Sequence, residues 1–246
     1  MQINTYSESI AQDGLYDNVY FEKEYEMKKK VLLLTALSCG LVFVSSCTKG
    51  HKQSSKKLVS LFNGKDLTGW TGAVDCYSVE DGKIVCMKGC AKNLFTEAEY
   101  SNFKLQFEFN LTPGANNGLA IRAPLKGRSS YEGMEVQIID NKDYKRIHNY
   151  SLKPWQYHGS LYGIAAAKQG FLKPAGQWNF QEVTANGRQI TVNLNGKTIL
   201  DVNLDEIDKT ADGNEHPGMK RTKGHIGFLG HGDRVEFRNI RLAELP

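Results

Sequence analysis

From residue 58 onward the chain predicts an all-β domain, a sandwich or barrel of mostly antiparallel strands, on three observations. Asn102–Asn110 alternates strictly, with Phe103, Leu105, Phe107 and Phe109 on one side and Lys104, Gln106 and Glu108 on the other; a period of two marks a strand with one buried face. The pattern returns at Ile190, Val192 and Leu194. Asp81-Gly82, Asn186-Gly187 and Asn195-Gly196 sit between such runs as turn dipeptides suited to positive φ. No long apolar stripe of helical period competes, and Asp205–Lys209 allows one turn of helix at most. No repeat of fixed period is visible.

Taken from the start, residues 1–26 are polar, carry six acidic side chains and read as a non-structural extension or a misassigned start. Residues 27–46 form a secretory signal: Met27, Lys28-Lys29-Lys30, an apolar run from Val31 to Val44, then small residues. The run has fourteen positions, whereas crossing a bilayer takes about 20. Val44-Ser45-Ser46-Cys47 resembles a lipobox, in which Cys47 is diacylated and becomes the new N-terminus; an ordinary secreted precursor cut nearby is the plainer alternative. Residues 47–57 hold no large apolar side chain and read as a solvated tether. In lipoproteins of this kind, acidic residues after the Cys go with export to the cell surface. Here they are basic, which favours a lipid anchor facing the periplasm, with the cell surface as the alternative.

The part from Cys47 is long enough for one domain with a substantial core, 58–246. It keeps 27 basic against 21 acidic side chains, with no basic amphipathic run, so no nucleic-acid partner is expected. Cys76, Cys86 and Cys90 remain for the domain, which in an oxidising compartment permits one disulfide and one leftover thiol. Cys86-x-x-x-Cys90 has no nearby His or fourth Cys to complete a zinc set.

Strand parity locates a polar cluster. In Gly118–Arg122, Leu119 and Ile121 take the core side and send Ala120 and Arg122 to the other face. In Met134–Ile139, Met134, Val136 and Ile138 point inward and Glu135 and Gln137 outward. If the two strands are neighbours, Arg122, Glu135 and Gln137 share one open face, with room above Gly118 and Ala120. That arrangement resembles the concave ligand face of concanavalin-like jelly rolls.

Glu135, flanked by core-directed residues, is the leading general-base candidate, since partial desolvation raises a carboxyl pKa; the plainer reading pairs it with Arg122 at the surface. Arg122 and Gln137 suit substrate hydroxyls or a developing oxyanion. Asp140 ends the same strand as ligand or turn residue. His231 lies in Gly230-His231-Gly232-Asp233, where flanking glycines let an imidazole approach a ligand; His225 is less distinctive. Trp155 and Tyr162, near His158 and Tyr157, could stack on a sugar ring or belong to the core. In Lys173-Pro174-Ala175-Gly176-Gln177-Trp178-Asn179, Lys173 could reach a pocket as a cation, while Trp178 anchors the next strand. Asn63-Gly64-Lys65-Asp66 reads as turn chemistry and Trp70 as a core plug. No cofactor is demanded: nucleotide fingerprints are missing, although Glu135, Asp140 and His231 are a set compatible with a divalent metal.

Five islands, LFNGKDLTGW (61–70), NNGLAIR (116–122), GMEVQIID (133–140), KPAGQWN (173–179) and GHIGFLGHGDRVEFRNIRL (224–242), together resemble the 3-keto-disaccharide hydrolase family over roughly residues 58–244. The resemblance implies a concanavalin-like jelly-roll β-sandwich of mostly antiparallel strands. It also implies cleavage of a glycoside already oxidised at C3 by a separate enzyme, through abstraction of the C2 proton and elimination or net hydrolysis. Carried onto this sequence, it makes Glu135 the base, Arg122 with Gln137 or Lys173 the partners of the enolate oxygen, and His231 the acid. The alternatives are a conventional glycoside hydrolase using Glu135 with Asp140, a noncatalytic carbohydrate-binding jelly roll, and a structural lipoprotein whose sheet binds another protein.

Overall fold

A computed structural model describes residues 57–246. The expectations for the extension, the signal segment, the acylated Cys47 and the tether up to residue 56 lie outside the described residues. In chain order the strands are β1 (Val59–Ser60), β2 (Trp70–Gly72), β3 (Tyr77–Glu80), β4 (Lys83–Cys86), β5 (Asn93–Tyr100), β6 (Phe103–Leu111) and β7 (Asn116–Ala123). They continue as β8 (Met134–Ile139), β9 (Asn179–Asn186), β10 (Gln189–Leu194), β11 (Lys197–Asn203), β12 (Gly224–Gly230) and β13 (Val235–Glu244). Two short helices, α1 (Ser129–Glu132) and α2 (Tyr144–His148), flank β8. The expected turn near Asp205 is a 3-10 turn at Leu204–Glu206.

The strands make two antiparallel sheets packed as a jelly-roll sandwich. One runs β11-β10-β9-β6-β13-β4-β3 with β1 added on β13; the other runs β2-β5-β12-β7-β8. The alternation of β6 is realised fully: Phe103, Leu105, Phe107 and Phe109 are all fully buried, each worth roughly 2 kcal/mol of apolar burial. Its polar face carries Lys104 and Gln106 against Glu182, and Glu108 against Arg238. The two sheets meet where Phe228 of β12 stacks on Phe237 of β13, ring centres 3.7 Å apart. Trp70 stacks on the same Phe228 at 5.7 Å and donates its indole N–H to the Leu61 carbonyl, so it plugs the core.

Turn chemistry sets the hairpins. Asp81-Gly82 and Asn195-Gly196 each close a two-residue hairpin with both residues at positive φ. The third hairpin is displaced by one: Asn186 is the last paired residue of β9, and Gly187-Arg188 makes the turn. Gly187 supplies the left-handed first position that Asn186 was expected to share.

Cys76 and Cys90 form a disulfide, Cα atoms 5.5 Å apart, and Cys86 stays a buried free thiol. The disulfide holds a loop that lies against the end of β12. Gly89 N–H donates to the Gly232 carbonyl and Gly232 N–H to the Cys90 carbonyl, both at 2.8 Å, on the two sides of the residue following His231.

Although β8 is the edge strand of its sheet, its outer side is occupied. The amide of Gln137 donates to Ser160, Gly159 donates to Gln137, and Tyr162 donates to Glu135, at 2.8–2.9 Å. The same stretch after β8 also covers the face expected to stay open, with Tyr144, Tyr150, Gln156 and Tyr162 above it.

Candidate active site

Registration of β7 on β8 brings the polar residues together. Ala120 pairs with Glu135 and Gly118 with Gln137. Met134, Val136 and Ile138 join the core as their parity requires, and Glu135, Gln137 and Ile139 line the floor of a cavity of about 440 Å³. Instead of lying on a solvated surface, Glu135 and Gln137 are each 3 % exposed, because the segment from residue 144 to 162 closes over them. Asn116, Tyr144, Tyr150, Gln156 and Tyr162 make its walls, with Arg128 and Ser130 at one side and His231 at another.

Glu135 is the chemical centre. Its Oε1 is buried without a hydrogen-bond partner in the protein and lies 3.9 Å from His231 Nε2. A buried acceptor left open is costly unless something else, such as a ligand, satisfies it. Beside it the Gln137 amide donates to Asn116 Oδ1 at 3.1 Å, and its own Oε1 is likewise unpartnered. The facing Glu135 carboxylate, in ion-pair range rather than hydrogen-bonded at 3.9 Å, raises the His231 pKa above its ordinary value against the opposing effect of burial, with the Asp233 charge adding. The arrangement sets an imidazole of raised basicity next to a carboxylate.

Tyr162 stands at the edge of this pair. Its amide is bonded to Glu135, its ring meets Trp155 edge-on at 5.0 Å, and its hydroxyl accepts from Gln156 at 3.4 Å. Burial raises its phenol pKa, the Gln156 bond opposes, and the Glu135 and Asp212 charges add. Trp155 buttresses Tyr162 from outside the cavity lining.

Three sequence-read residues are elsewhere. Arg122 is completely buried, and its guanidinium donates to the Ser101 carbonyl at 2.9 and 3.0 Å and more weakly to the Arg221 carbonyl. The cause is a bulge: Ile121 and Arg122 oppose the single residue Ile226, with Arg122 at φ 49°. Parity breaks there and turns the side chain away from Glu135. Asp140 accepts the amides of Gly114 and Lys142 at 2.8 and 3.2 Å, so it is the turn residue of its two readings. Lys173 donates to the Trp178 carbonyl at 3.0 Å and, with Asp140, lines a separate concavity of about 460 Å³. Trp178 lies under the Arg238 guanidinium, 3.9 Å from its centre, just ahead of β9.

Consequently Glu135, Asp140 and His231 do not converge, and among the described residues no three His, Cys, Asp or Glu side chains are placed to hold a metal ion. The carboxylate pair proposed for conventional hydrolysis is separated in the same way. His158 is a core residue: it stacks on Phe109 at 5.0 Å, accepts from the Ile139 amide and contacts Gln181 Oε1 at 2.9 Å. His225 sits at the far end of β12 against the Thr96 carbonyl.

Arg128, rather than Arg122, is the cation on the cavity wall, and Tyr144, Tyr150 and Asn116 were also missed. Asn116 was accessible by extending the Gly118–Ala120 parity two residues back. Arg128 and Tyr150 lie on irregular chain, and Tyr144 opens the five-residue α2, too short for a period to report direction.

A family model described as 3-keto-alpha-glucoside-1,2-lyase-like domain matches residues 57–243. A Bacteroides thetaiotaomicron protein named 3-keto-disaccharide hydrolase is 24 % identical over 226 residues, covering 76 % of this chain and 78 % of that one. Two crystal structures of Parabacteroides distasonis proteins assigned as glycosyl hydrolases are similar. One is 30 % identical with a TM-score of 0.67, covering 77 % of this chain and all of that one. The other is 26 % identical with a TM-score of 0.66, covering 77 % and 94 %.

Proposed function

Because the chain belongs to the 3-keto-alpha-glucoside-1,2-lyase-like family and is glycosyl-hydrolase-like, we propose that it cleaves 3-keto glycosides, disaccharides among them. The observation that carries this reading is the Glu135 carboxylate: buried, open on one oxygen and 3.9 Å from the His231 imidazole.

A ketone at C3 acidifies the C2–H bond. Glu135 takes that proton, and the electron pair forms the enolate with negative charge on the C3 oxygen. The enolate collapses to restore the ketone, forms the C1–C2 double bond and breaks the bond from C1 to the leaving oxygen. His231 in its protonated form gives that oxygen its proton. Addition of water to C1, with its proton returning to His231 and the Glu135 proton returning to C2, completes net hydrolysis. Arg128 and the Gln137–Asn116 pair are the donors available for the enolate oxygen.

Ordinary hydrolysis needs two carboxylates across one sugar, and Asp140 is committed to backbone amides. Incubation with 3-keto glycosides and their unoxidised parents decides the matter. Turnover of the keto sugars without added nucleotide is expected. Faster cleavage of the parents would return the assignment to a conventional glycosidase, and binding without turnover would make the domain a sugar-binding module.

The proposal includes a separate enzyme that oxidises C3 upstream, and a lipid anchor at Cys47 on a bacterial membrane, facing the periplasm. Mass spectrometry of the mature N-terminus tests the anchor; an unacylated start elsewhere would refute it.

A further inference from the structure

A second cleft of about 300 Å³ adjoins the first and shares Arg128, Ser130 and Tyr162 with it. Its other walls are Tyr131, Asp212, Asn214 and His216. His216 Nε2 lies 3.1 Å from Asp212 Oδ2, and the residue is only 9 % exposed. Its other nitrogen, Nδ1, is buried without a partner in the protein. A histidine that fixes one nitrogen on a carboxylate and leaves the other open resembles Glu135 in needing something further.

Three loops build this cleft rigidly. Asp212 donates its amide to the Gly163 carbonyl and Ala211 to Ile164, at 2.9 and 3.0 Å. At Gly163, which has φ 72°, a side chain would run into Asp212 Oδ2 at 2.6 Å and into the His216 ring at 2.7 Å. Gly218, two residues beyond His216, is packed so closely on the Gly133 carbonyl at the end of α1 that no β-carbon fits. The Asp–His pair therefore has a fixed position beside Tyr162, whose opposite side belongs to Glu135.

The chemistry of the cleft selects its occupant. One carboxylate, one guanidinium, one amide and one imidazole alternate donors and acceptors around an aromatic wall, Tyr131, whose ring centre is 5.9 Å from that of His216. A phosphate or carboxylate ligand would face Asp212, and an alkyl group would leave these polar atoms unsatisfied. A neutral polyhydroxyl ring meets both requirements. We infer that Asp212, Asn214 and His216 form the subsite for the leaving group, which is a second sugar ring. This rests on the function proposed above and adds which residues choose the leaving group.

The test compares a two-ring 3-keto glucosyl-glucose with the methyl glycoside of the same 3-keto ring. In His216→Phe, which keeps a ring for packing, the ratio of kcat/KM for the disaccharide to that for the methyl glycoside should fall about tenfold or more, the scale of one or two lost hydrogen bonds. Asn214→Ala, at an exposed position, should lower the ratio in the same direction, and it guards against a folding defect in the first variant. An unchanged ratio in both variants would overturn the subsite. Titration of both sugars into Glu135→Gln protein, following the histidine ring resonances, separates the two claims because it needs no turnover. The disaccharide should move His216 and His231, and the methyl glycoside His231 alone. If His216 does not respond to the disaccharide the subsite is wrong; if His216 responds but every keto glycoside goes uncleaved, the proposed reaction is wrong and the subsite stands.

Discussion

The Glu135 carboxylate lies over the α-carbon of Gly118, diagonally across the β7–β8 pair, in the space that a methyl group there would fill. A β-carbon at Gly118 would stand 2.6 Å from Glu135 Cδ and 2.8 Å from its Cγ, distances that real atoms do not tolerate. The glycine is there for space, since its φ is not positive. Gly118→Ala should push the carboxylate off its position and lower turnover by about a hundredfold, the scale of an ångström-sized misplacement. The melting temperature should change little. A fully active, normally folded Gly118→Ala protein would show that the carboxylate position is not critical.

Glu135→Gln preserves the volume and removes the basic oxygen. Turnover should fall about a hundredfold or more with the fold intact. Full activity on a confirmed substrate would rule out Glu135 as the base.

The pair also fixes a pH profile. The reaction needs Glu135 ionised and His231 protonated. Glu135 raises the His231 pKa, so the alkaline limb should fall above the ordinary histidine value. Proton binding by His231 in the folded state stabilises the fold below that ordinary value, and this contribution is lost as pH rises through the raised one. NMR titration of His231 should show its pKa drop in Glu135→Gln; an unmoved value would mean that the carboxylate does not act on it.

His158 titrates in the opposite sense. Burial lowers its pKa from the ordinary 6.5 to about 4, against the hydrogen bond that its Nε2 donates to Gln181 Oε1. The unfolded chain binds this proton between those values and the folded one does not. Stability should therefore be complete above about pH 6.5 and decline by about 3 kcal/mol as pH falls to 4. Urea midpoints across that range should be flatter for His158→Gln than for the parent; equal slopes would place the acid sensitivity elsewhere.

Arg122 and Arg128 should separate stability from activity. Arg122→Ala empties a fully buried site and removes the bonds it donates to the Ser101 and Arg221 carbonyls, and should cost about 2–4 kcal/mol, with kcat per folded molecule little changed. Arg128→Ala, at an exposed position, should spare stability and reduce kcat. The reverse outcome would return the catalytic cation to Arg122.

These contrasts show what could be read beforehand. The strand run 103–109 and the facing of Glu135 and Gln137 followed from alternation, because a period of two on a regular strand fixes direction. The same logic failed at Arg122, where one extra residue on β7 turns the backbone left-handed, and a bulge leaves no mark in the periodicity. Arg128 and Tyr150 belong to loops, and Tyr144 to the short helix α2, whose positions are set by what they pack on. The buried state of Glu135 depended on a roof of irregular chain and one short helix, nine to twenty-seven residues further on in sequence.

That roof has a consequence for solubility. An edge strand of six buried residues, Met134 to Ile139, would ordinarily offer its free amides and carbonyls to another copy of the chain. Here Gly159, Ser160 and Tyr162 already occupy them. Substitutions that loosen residues 159–162, at Gly159 above all, should therefore release more than a slack active site: they would bare a β-edge template, and light scattering on warming should register self-association before the core itself unfolds.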